Sequence, residues 1–141
     1  MTIPEWNDKK PKVNDGSLPV LRVDYKRMPT IAAGIWHAQM AGWDRILTYD
    51  YVLNTQERKA SRGAKRAQIG KDGFQRCGLT ADEYPFACTK ENLGSTFLTN
   101  APSNEQAIQG GELSGFLGRN GAYSKTDGYF YFEVLVINYV Y

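Results

Sequence analysis

The chain has 141 residues, 42% of them hydrophobic and 23% charged, which fits one globular domain and excludes a disordered or fibrous chain. Lys and Arg together exceed Asp and Glu by only two, so any affinity for an anionic partner must come from where the charge sits rather than from its sum. No apolar run approaches the roughly 18–20 residues that span a bilayer, and the N-terminal stretch lacks the apolar core of a signal peptide.

Residues 1–17 are polar, with Pro4, Pro11 and the Lys9-Lys10 pair, and they read as a flexible lead-in to a single domain over 18–141. Residues 20–25 alternate apolar and polar, as a half-buried strand does. Thr30 is placed to cap a helix with Ile31, Ile35 and Ala38 on one face and Gly42 at its C-terminal stop. A short strand over 46–49 follows, and Asn54 or Thr55 can cap a second, strongly basic helix running to about Lys65. The glycines between Gly70 and Thr80 predict a loop, and Pro85 argues against a regular helix through 82–87. A strand over 96–99 then leads into a helix over about 104–117, capped by Asn104. The Gly110-Gly111 pair is the weak point of this helix and is expected to permit close backbone approach. The last stretch, 129–141, is rich in β-branched and aromatic residues and predicts the central or longest strand. The sum is an α+β domain with a small antiparallel sheet.

Two clusters point to chemistry. Between Arg58 and Arg76 stand seven cations against the single acid Asp72, so the chain's positive character is local. Arg58, Arg62 and Lys65 or Arg66 recur at helical spacing and can line up on successive phosphates of a nucleic acid; the alternative is a solvated surface helix. Asp82 and Glu83 are adjacent and flanked by Tyr84 and Phe86. In an extended segment they point to opposite sides, so one can face a reaction centre while the other orients a basic residue. Glu91, Asn104 and Gln109 add the oxygen ligands that a hard divalent ion prefers. A purely structural use of Asp82 and Glu83, bonding backbone amides or pairing with Arg58 or Arg62, is the competing reading.

His37 is the only histidine, and a lone imidazole on a helix is more often structural than a base. With no nucleophile turn around any serine, Ser/His/Asp and Cys/His hydrolases find no support, and Gly110-Gly111 lacks the rest of a phosphate loop. The two cysteines, Cys77 and Cys88, are too few for a disulfide framework, and either pair or remain two thiols.

The segment Asp82-Glu83-Tyr84-Pro85-Phe86-Ala87, followed by Thr89 and Glu91, resembles the hallmark of the NucA/NucB deoxyribonucleases. Val23-Asp24-Tyr25 through Met28-Pro29, Gly42, Leu47-Thr48, and Asn104 with 109–113 and Phe116 agree in order. The resemblance implies a site similar to that of ββα-metal nucleases, with Mg²⁺ or Mn²⁺ as the ion and DNA as the substrate, cut with little sequence preference. It makes Asp82 the general base or its partner and Glu83 a second site carboxylate. Glu91 and Asn104 become metal ligands, Gln109 a substrate-binding amide, and Arg58, Arg62 and Lys65 holders of flanking phosphates.

The pattern departs from the family in particular places. The helix histidine of the family falls on Gly34, with His37 three residues on and expected to fill its space, and the cysteine before the acidic pair is Ala81. These departures suggest a divergent, toxin-type member, secreted or delivered into a target cell and partnered by a protein inhibitor such as an immunity protein, with no membrane role. A nucleic-acid-binding domain that has lost catalysis on the same scaffold is the alternative.

Overall fold

The computed structural model describes residues 4–49, 79–124 and 129–140. In chain order the described elements are α1 (Glu5–Lys9), β1 (Val20–Asp24), α2 (Pro29–Met40), β2 (Ile46–Tyr49), β3 (Leu79–Tyr84), a 3₁₀ turn (Lys90–Leu93), β4 (Phe97–Pro102), α3 (Ser103–Arg119), a second 3₁₀ turn (Ala122–Ser124) and β5 (Phe130–Ile137). The expected basic helix, with Arg58, Arg62 and Lys65, lies outside the described residues, as does Cys77.

The aromatic and β-branched C-terminal stretch forms the central strand of a three-stranded sheet in the order β1-β5-β2. β2 runs antiparallel to β5, pairing Leu47 with Phe132, whereas β1 runs parallel to it, pairing Leu21 with Val134. The expected antiparallel sheet therefore carries one parallel pairing, reached through the intervening chain because parallel neighbours need a long crossover. Alternation along β5 sends Phe130, Phe132, Val134 and Val136 into the core. Phe116 of α3 meets Phe132 at a ring separation of 5.5 Å, and Ile31, Ile35 and Ala38 of α2 are fully buried in the same cluster. Each large side chain so buried contributes about 1.5–3 kcal/mol.

β3 and β4 form a separate antiparallel hairpin, and α3 follows β4 directly, giving a ββα unit. The stretch expected to be loop up to Thr80 is strand from Leu79, since pairing with β4 satisfies its backbone groups. Tyr84 plugs the hairpin into the core. It is 1% exposed, its hydroxyl donates to the Asp44 carbonyl, and it accepts from Gln39 Nε2 at 3.1 Å. Beyond it, Asn92 Nδ2 donates to the Pro85 carbonyl at 2.7 Å and Thr89 Oγ1 to the Phe86 carbonyl at 2.7 Å. Most of the Tyr84-to-Asn92 segment thus serves to hold its own shape.

Gly42 ends α2 as expected. Its φ of 105° lets its N–H reach the Gln39 carbonyl at 3.1 Å while that of Trp43 reaches Ala38 at 3.0 Å, a Schellman closure. The other end of α2 differs from expectation, because Thr30 lies inside the first turn and no neighbouring side chain caps it. A carboxylate from far along the chain does so instead: Glu105 Oε1 accepts from the Thr30 N–H at 2.9 Å and the Ile31 N–H at 3.1 Å. A negative charge there also complements the helix dipole. The polar lead-in docks onto the domain through Lys10, whose Nζ lies 3.0 Å from both Asp44 and Glu91.

Helix α3 runs unbroken from Ser103 and so begins one residue before Asn104, which makes no cap. Gly110 and Gly111 are exposed, and a Cβ added at either meets nothing within 4 Å among the described residues. The expected close backbone approach is therefore not made by any described residue. Gly110→Ala and Gly111→Ala should each raise stability by about 0.5–1 kcal/mol in urea denaturation; an unchanged or lowered midpoint would show that these positions meet something the helix surface alone does not.

Candidate active site

Pleating decides what the acidic pair does. Asp82 shares the inward face of β3 with Tyr84, opposite Thr99 of β4, while Glu83 points to the other face opposite Leu98. Asp82 is 6% exposed, and Glu83 is half-buried. α2 covers the inward face so closely that a Cβ added to Gly34 would sit 2.3 Å from Thr99 Oγ1.

Burial pushes the Asp82 carboxyl up to about 7, and the negative charges of Glu83 and then Glu105 push in the same direction. A carboxyl poised near neutrality exchanges protons readily at physiological pH, the property required of a general base or acid. The Glu105 carboxylate that caps α2 therefore has a second effect, electrostatic, on Asp82. Glu105, the residue after Asn104, is not among the expected site residues; the signal that exposes it is the helical spacing of Glu105, Gln109 and Phe116, all buried on one side of α3.

The remaining candidates separate. Gln109 is 7% exposed and its Nε2 has no hydrogen-bond partner among the described residues, leaving a buried donor available. Asn104 stands exposed in the first turn of α3. Glu91 is 8% exposed and already engaged: its Oε1 accepts from the Thr48 N–H at 2.7 Å, and its Oε2 takes Thr48 Oγ1 at 2.8 Å and Lys10 Nζ at 3.0 Å. It clasps β2 to the lead-in. Among the described residues no three His, Cys, Asp or Glu side chains gather as a metal-binding group. His37 does not fill the space at Gly34. Gly34 is buried against Thr99, whereas His37 is exposed beside Tyr139, its ring 6.5 Å from the tyrosine ring.

A family profile described as Deoxyribonuclease NucA/NucB matches residues 37–130, well over half of the chain and the whole of the ββα unit. The chain belongs to the NucA/NucB family. No curated protein matches it. Membership makes this NucA/NucB chain a DNA-hydrolysing enzyme by family, with DNA as its substrate, and the acidic pair lies within the matched span. Among the described residues no helix is long and apolar enough to cross a membrane.

The raised Asp82 value has a consequence for stability. Between about pH 3.8, the ordinary value, and about 7, the folded protein keeps a proton that the unfolded chain releases, so this group lowers stability as pH rises through that window and by a constant amount above it. Asp82→Asn removes the penalty. In chelator at pH 8 the variant should be more stable than the parent by roughly 2–4 kcal/mol, with the difference shrinking towards pH 4; equal stabilities at pH 8 would show that the carboxyl ionises at its ordinary value.

Proposed function

We propose that the chain is a DNA endonuclease with little sequence preference, in which Asp82 is the general base. The observation that carries this reading is a buried carboxyl with a value near 7 on the hairpin of a ββα unit. Asp82 takes a proton from a water whose oxygen attacks the phosphorus; the bond to the leaving oxygen breaks, and that oxygen acquires a proton from solvent. Glu83, turned to the opposite face, holds a basic side chain of the Arg58-to-Arg76 segment in position. Arg58, Arg62 and Lys65 neutralise flanking phosphates, contacts that give affinity without reading sequence. Gln109 offers its buried amide donor to a phosphate oxygen.

Nucleases of this kind usually use a divalent ion. Of the two residues expected to hold Mg²⁺ or Mn²⁺, Glu91 has both oxygens engaged within the protein and Asn104 contributes a single neutral amide. The described residues do not by themselves make a cradle for the ion.

Cleavage of supercoiled plasmid, with Mg²⁺, Mn²⁺ and chelator in parallel, tests the reading. The parent should nick DNA in a divalent ion and stop in chelator, and Asp82→Asn should lower the rate by on the order of 10²-fold or more. Nicking by Asp82→Asn at the parental rate would remove Asp82 from the chemistry. Salt-sensitive DNA binding without cleavage in any ion would instead establish the binding-domain alternative.

A further inference from the structure

A cavity of about 660 Å³ opens between α1, the turn that follows α2 and the connection that follows β3, and its lining includes Trp6, Asn7, Trp43, Pro85 and Lys90. Its size falls within the roughly 300–1,000 Å³ of small-ligand sites. Pro85 stands three residues beyond Asp82, a stretch of chain that spans no more than about 11 Å, so a strand whose phosphate reaches Asp82 has the cavity within reach of a neighbouring nucleotide. Two indole rings give the wall flat surfaces of the kind on which nucleobases stack. Trp43 is held in place, its Nε1 donating to the Ser95 carbonyl at 3.4 Å and its ring meeting Phe97 edge-on at 5.7 Å. Trp6 is half-buried on a helix that buries no residue in the core, so its ring faces the cavity without being needed for core packing. Lys90 adds a cation, its Nζ lying 5.1 Å over the Tyr129 ring. The two carboxylates of the wall, Asp44 and Glu91, each lie 3.0 Å from Lys10 Nζ, so their charge is met within the protein and does little to repel an anion.

We propose that this cavity is a subsite for one unstacked nucleotide of the DNA strand held at Asp82, the base entering against Trp6 and Trp43 and the adjoining phosphate meeting Lys90. The inference rests on the chain being a DNA endonuclease with its reactive group at Asp82. A base inside a duplex is stacked and paired, and taking it out has an energetic cost that a single strand does not bear. The subsite therefore favours single-stranded or frayed DNA over intact duplex. Every base offers a π-face to an indole, so stacking here accepts any base and agrees with cleavage of little sequence preference. Trp6 lies outside the span 37–130 that matches the family profile, which makes its part in the subsite a property of this chain.

The test is binding of a short, fluorescently labelled oligothymidylate, followed by anisotropy in chelator so that the strand is not cut, alongside a duplex of the same length. Trp6→Leu should weaken binding of the single strand at least about fivefold while leaving the duplex within about twofold of the parent. Lys90→Gln should lower the slope of log affinity for the single strand against log salt by about 0.7, the loss of one phosphate contact. Binding of the single strand by Trp6→Leu at the parental affinity would overturn the proposal, and so would an equal loss on both substrates. Should Trp6→Leu not fold, Lys90→Gln carries the test, an unchanged slope overturning the subsite. Plasmid nicking by the parent separates the two ideas: an active parent with unaltered binding by both variants overturns the subsite alone, whereas a parent that nicks in no divalent ion overturns the endonuclease on which it rests.

Discussion

The carboxylate of Glu105 sits where three parts of the molecule meet, and much of the structure depends on it. Through two backbone hydrogen bonds it closes the N-terminus of α2 from the first turn of α3, so the two helices that cover the core are tied end to end. A helix start leaves unsatisfied N–H groups that need partners when buried, and the sequence around α2 supplies none. The same charge contributes to the field that keeps a proton on Asp82. A fold-stabilising contact and the tuning of a reactive group therefore share one side chain, and substituting Glu105 affects both.

The hallmark segment divides along similar lines. Asp82 and Glu83, the pair proposed to carry the chemistry, lie on opposite faces of a strand, whereas Tyr84, Thr89, Glu91 and Asn92 bond to the backbone or to neighbouring side chains and fix the connection that follows. Glu91 illustrates what residue type alone leaves open. An acid trailing an acidic pair has the right chemistry for a divalent ion, yet here its oxygens are taken by Thr48 and Lys10. A burial of this kind is sustained only where every charge finds a partner.

What was legible in the sequence follows from locality. The β1 and β5 strands, the α2 face of Ile31, Ile35 and Ala38, and the Gly42 closure all rest on periodicity or on one turn's chemistry, and each is present. The cap on α2, the parallel pairing of β1 and the approach of Gly34 to Thr99 all join residues far apart in sequence, and no local pattern encodes them. Asp82 and Glu83 were readable as a pair, and their division between two faces followed from pleating. The groups around Asp82, Glu105 on α3 by its charge and Thr99 opposite it in the hairpin, needed the register and the helix packing.

Asp82 stands at a cost in stability that a simple structural carboxylate would not incur, a trade common at reactive groups. Whether this carboxyl titrates near neutrality can be read by following the side-chain carboxyl ¹³C resonance of Asp82 by NMR as a function of pH in chelator. The expected midpoint is near 7; a midpoint near 4, the ordinary range of an aspartate, would show that burial and the neighbouring charges leave Asp82 unshifted.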